Sequence, residues 1–82
     1  MSDEAQFDTD KIDEVALALL WFSMFDDGPV TRAWKGMAWE ITDRLHEKGW
    51  IADPRSKAKS VVVTEEGVGL AEEFARKHFG AQ

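Results

Sequence analysis

A chain of 82 residues with no cysteine has room for one hydrophobic core and excludes disulfides as its reinforcement. A core of that size supplies only a few kcal/mol, and domains like it commonly add a metal or a partner subunit; His46, His78 and carboxylates make a poor set for a closed zinc site, so no cofactor is expected and self-association is the expected supplement. The net charge of −6 argues against general attraction to phosphate backbones, and the longest apolar run, residues 15–25, interrupted only by Ser23, is too short to cross a bilayer.

Residues 1–7 are acidic, lack the basic and apolar regions of a secretory signal, and read as a frayed terminus before a single domain at 8–80. A cytoplasmic location is expected. Asp8 suits the N-cap of a first helix, with Phe7 before the cap and Ile12 inside it as a hydrophobic staple. Asp10, Asp13 and Glu14 suit its positive end. The helix is expected to run to Phe25 and is apolar nearly all round. Ile12, Val15, Ala16, Leu19, Phe22 and Ser23 form one stripe, expected inward; Leu17, Leu20, Trp21 and Met24 face elsewhere and demand a second covering surface.

Asp26-Asp27-Gly28-Pro29 is a strong stop. Residues 30–36 suit a short strand. A second helix is expected over 37–48, with Met37, Ala38, Ile41 and Leu45 on one face and Gly49 as its left-handed stop. Residues 50–52 and 59–63 read as an antiparallel hairpin whose tip, 53–58, is polar and basic. Thr64 is a natural N-cap for a third helix reaching Phe79, with Leu70, Ala71 and Phe74 inward and Gly80 ending it.

Charge is unevenly placed. Residues 1–27 hold Asp3, Glu4, Asp8, Asp10, Asp13, Glu14, Asp26 and Asp27 against Lys11 alone. Residues 31–60 carry Arg32, Lys35, Arg44, Lys48, Arg55, Lys57 and Lys59 against Glu40, Asp43, Glu47 and Asp53. Arg44, Lys48, Arg55, Lys57 and Lys59 are therefore candidate contacts for nucleic acid or an acidic partner. The bland reading is that edge lysines block aggregation and that the second helix presents a solvated face of mixed sign. The carboxylates of the first helix are also placed to cover these cations in the free state.

Trp34, Lys35 and Trp39 set aromatics beside positive charge, an arrangement that stacks bases or anchors a partner; packing is the alternative, and for Trp21 and Trp50 the favoured one. Glu40, Asp43 and His46 recur every three residues along one helix side, a spacing without the specificity of a metal or hydrolase motif. Gly67-Val68-Gly69 matches no nucleotide fingerprint. Nothing in the sequence supports catalysis.

Leu45-His46-Glu47-Lys48-Gly49-Trp50-Ile51, followed by Val61-Val62-Val63-Thr64-Glu65-Glu66-Gly67, resembles the recognition-helix end, wing and closing helix of winged-helix regulators of the MarR and PadR kinds over residues 37–79. That resemblance implies an α+β winged-helix-like fold of helix, short strand, helix, hairpin wing and helix, its middle helix missing or reduced to one turn. The whole chain also resembles a family of short bacterial proteins marked by Arg32-Ala33-Trp34-Lys35-Gly36, by residues 45–49 and by Ser56-Lys57-Ala58-Lys59-Ser60, which implies a bacterial origin and adds no site. The expected function is a noncatalytic protein-interaction module, a homodimer held through Leu17, Leu20, Trp21 and Met24; the alternative is a winged-helix DNA-binding regulator using the basic wing.

Overall fold

Asp8 begins the first helix by accepting the Lys11 backbone N–H at 3.1 Å, as an N-cap does. In the computed structural model, which describes residues 7–34, 36–55 and 58–81, the elements run α1 (Thr9–Trp21), β1 (Met24–Asp27), β2 (Val30–Trp34), α2 (Trp39–Glu47), β3 (Ser60–Val63) and α3 (Glu65–Phe79). The result is an α+β fold of three helices and a three-stranded antiparallel sheet in the order β1-β2-β3.

The first helix is shorter than its apolar run. It ends at Trp21, and Met24 to Asp27 form a strand instead, paired with β2 through Met24↔Ala33 and Asp27↔Val30. Gly28 and Pro29 make the two-residue connection, with Gly28 at φ 65°, the primed-turn geometry whose twist suits a hairpin. Helical periodicity continued through residues 22–25, but pairing with β2 prevails there because it satisfies backbone groups that the end of a helix leaves open.

β2 also pairs with β3, Ala33 opposite Val61 and Thr31 opposite Val63. The expected hairpin of residues 50–52 with 59–63 is reduced to one bridge, Ile51↔Val63, with the Ala52 N–H donating to the Val62 carbonyl at 2.9 Å. β3 takes β2 as its main neighbour. Ser56, Lys57 and Lys35 lie outside the described residues. α2 is also shorter than expected: Ala38 caps it without a side-chain hydrogen bond, and its buried residues are Thr42 and Leu45. Ala38 itself is exposed and Ile41 only half-buried. Gly49, at φ 81°, ends it in the left-handed region.

Ala33, Val61 and Val63 share the sheet face that is buried with Leu17, Leu20, Leu45, Ile51, Ala71 and Phe74. Strand alternation sends Phe25 and Trp34 to the opposite face, where both are exposed and their rings lie 5.4 Å apart. Thr64 locks α3 to the end of α2: its hydroxyl donates to the Gly49 carbonyl at 2.7 Å and accepts the Gly67 N–H at 3.0 Å. The molecule is a slab, 40 × 37 × 18 Å.

Candidate protein-interaction surface

α1 has two apolar sides, and the structure places them the other way round from the expected assignment. Leu17 and Leu20, expected as outward anchors, are fully buried in the chain's own core. Trp21 and Met24 are half-buried and pack against it, lining an open depression of about 520 Å³ with Phe22, Phe25 and Val68. The reason lies one turn earlier. Asp13, on the Leu17 side of the helix, is also fully buried, and it is turned inward because α2 supplies its counter-ions. The Arg44 Nε donates to both Asp13 oxygens, at 2.9 and 3.0 Å, and Lys48 Nζ lies 3.2 Å away. A buried carboxylate without such partners would cost several kcal/mol.

That orientation turns Ile12, Val15, Leu19 and Phe22 outward. Their 3-4-3 spacing keeps them on one side of the helix. Leu19 is 53 % and Phe22 66 % exposed, while Ala16, expected in the same stripe, is buried at its margin. Phe79 of α3 adds to this surface, 46 % exposed and edge-on to Phe22 at 6.1 Å. A clamp holds it there: Glu14 accepts Lys77 Nζ and pairs with His78 Nε2, each at 3.0 Å. The His78 and Lys77 hydrogen bonds hold the Glu14 carboxyl below its usual range.

At the N-terminal end of the stripe a hollow of about 350 Å³ is lined by Phe7, Asp8, Lys11, Ile12 and Val15. At its C-terminal end Phe22 stands beside a second depression, with Glu72, Arg76 and Phe79 around it. Phe7, Leu19, Phe22 and Phe79 were not singled out as interface residues from sequence. For Leu19 and Phe22 the signal was present in the 3-4-3 spacing of residues 12, 15, 19 and 22; Phe7 and Phe79 lie outside it.

The basic residues are largely engaged within the chain. Arg44 and Lys48 serve Asp13, and Lys48 also reaches Asp10 at 2.9 Å, so the first helix's carboxylates do cover these cations. Asp10, more than Asp13, holds the Lys48 ammonium above its usual range. Arg55 binds Asp43 at 2.6 Å and stacks over Trp39 at 4.8 Å. The Arg55 hydrogen bond lowers the Asp43 carboxyl. Lys59 is exposed, and Lys57 lies outside the described residues. Trp34 and Trp39 are both about half exposed, Trp34 stacked on Phe25 and Trp39 under Arg55.

Glu40, Asp43 and His46 do not converge on a shared centre. Glu40 is exposed, Asp43 is taken by Arg55, and His46 Nδ1 lies 3.0 Å from the Ile51 carbonyl. Among the described residues no group of three such side chains is placed to hold a metal ion, and no helix is long and apolar enough to cross a membrane.

Comparison with known proteins places residues 8–81 in a match to a family described as a domain of unknown function (DUF6429). A relative from Sinorhizobium fredii (strain NBRC 101917 / NGR234), described as "Uncharacterized protein y4hR", is 49 % identical over 74 residues, covering 90 % of this chain and 96 % of its own length. No solved structure matches.

Proposed function

The chain belongs to the DUF6429 family, and we propose, from the geometry of its first helix, that it is a noncatalytic protein-interaction module that pairs with a second copy of itself through the outward side of α1. The observation that carries this reading is the outward row of half-buried Ile12 and Val15 and exposed Leu19 and Phe22, extended by exposed Phe79. Scattered apolar residues are ordinary on a surface, but a contiguous row with an aromatic at its end marks a contact face. A stable pair buries about 800 Å² per partner, on the order of a seventh of the 5436 Å² that the chain exposes.

Sedimentation of the purified protein tests the reading. The wild type is expected to be dimeric and Leu19→Glu monomeric, with unchanged helical circular dichroism because Leu19 lies outside the buried core and is more than half exposed. A monomeric wild type at high micromolar concentration overturns it.

A second reading has one observation in its favour. α2 lies between strand segments that meet at β3, where Val63 pairs with Thr31 on one side and bridges Ile51 on the other, an arrangement that supports a reading as a reduced winged helix with β1 added and the supporting helix left out. DNA binding by such a module would require Arg44, Lys48 and Arg55 to leave their carboxylates. Anisotropy of a labelled mixed-sequence duplex discriminates: saturable binding that fades with salt favours the regulator, and no binding at low salt favours the interaction module.

A further inference from the structure

We infer that the two copies pack with their α1 helices antiparallel across a two-fold axis, so that Phe22 of each copy fills the hollow beside Ile12 of the other. The inference rests on the self-association reading and adds its geometry. The outward row is symmetric about its own midpoint: Ile12 and Phe22, and Val15 and Leu19, lie equally far from position 17. A two-fold perpendicular to the helix through that point sets Ile12 against Phe22 of the second copy and Val15 against its Leu19.

The two ends of the row are complementary in shape. The N-terminal end is concave, the apolar hollow of about 350 Å³ between Phe7, Ile12 and Val15; the C-terminal end is convex, with Phe22 the most exposed large hydrophobic side chain among the described residues. A parallel pair would set hollow against hollow and ring against ring.

The charges agree. The rim of the hollow offers one acid and one base, Asp8 and Lys11. Phe22 is flanked by one base and one acid, Arg76 and Glu72, which in the single chain are joined by an exposed i,i+4 pair at 2.8 Å, a weak interaction at a solvent-screened surface. Antiparallel docking gives each charge an opposite partner twice over, as an isologous contact requires, and aligns the two helix dipoles favourably.

The absence of cysteine makes disulfide trapping free of background. Val15→Cys and Leu19→Cys chains are mixed and oxidised under mild conditions, and the products are separated by mass. Antiparallel packing brings position 15 of one chain to position 19 of the other. Two copies of position 15 are then displaced by about 6 Å along the axis on top of the helix separation, beyond disulfide reach. The mixed disulfide is expected in several-fold excess over either symmetric one. Symmetric 15–15 and 19–19 products in excess, or no disulfide product from a chain that sediments as a dimer, overturn the inference while leaving self-association standing. A wild type that sediments as a monomer overturns both.

Discussion

The inward and outward sides of α1 are almost equally apolar, yet one carries a carboxylate and is buried while the other, the row 12, 15, 19 and 22, carries none and is half-buried to exposed. Hydrophobicity alone does not rank them. What decides the orientation is where the opposite charges lie: Arg44 and Lys48 arrive from α2, and only the Asp13 side can meet them. The acid that looks like a surface residue in the sequence is therefore the one that points the helix inward.

This contrast can be broken most sharply at Leu17 and Leu19, two residues apart. Leu17→Ala should lower unfolding free energy by about 3 to 4 kcal/mol in a urea titration of the monomer, because it empties a fully packed site. Leu19→Ala should change monomer stability by less than about 0.5 kcal/mol and weaken only self-association. Equal effects on monomer stability would refute the assignment of sides. Asp13→Ala is next, with a loss of about 3 kcal/mol, since it leaves two cations gathered around an empty site; the double change Asp13→Leu with Arg44→Met should recover most of it, and failure to do so would mean that the charges do more than set the orientation.

The packing under the inward side is checked by Gly67→Ala. A Cβ there would run into the Trp50 carbonyl, where the first turn of α3 meets the segment after α2, and the expected cost is about 2 kcal/mol by thermal or urea unfolding. The smallest effect is at Glu14, on the flank between the two sides. Its carboxyl is lowered by His78 and Lys77, so its contribution is complete above the ordinary carboxylate range and is lost as pH falls through the depressed folded value. Glu14→Gln should flatten that part of the acid limb of stability against pH, and an unchanged limb would show the clamp to be inert.

Elements set by local chemistry were legible in the sequence. Asp8 and Thr64 cap the helices they were expected to cap, Gly49 stops α2 and α3 ends at Phe79. Elements set by distant pairing were not. β1 continues a helical pattern and becomes a strand only because β2 lies beside it, and the wing strand at 50–52 shrinks to Ile51 because β3 pairs with β2. The contact surface was half legible: two apolar sides on the first helix predicted an uncovered one, but choosing between them needed the partner of Asp13, which lies 31 residues away in sequence.

The same carboxylate has a consequence for motion. α2 buries only Thr42 and Leu45, and its first turn has no side-chain cap; its polar attachment to α1 passes through Arg44 and Lys48 meeting at Asp13, with Lys48 also reaching Asp10. A segment held by few packed side chains and a small ion-pair cluster opens as a unit. Amide hydrogen exchange in α2 should therefore run well ahead of that in α1 and α3, and Asp13→Ala should bring it close to the rate of an unstructured chain while the other two helices stay protected.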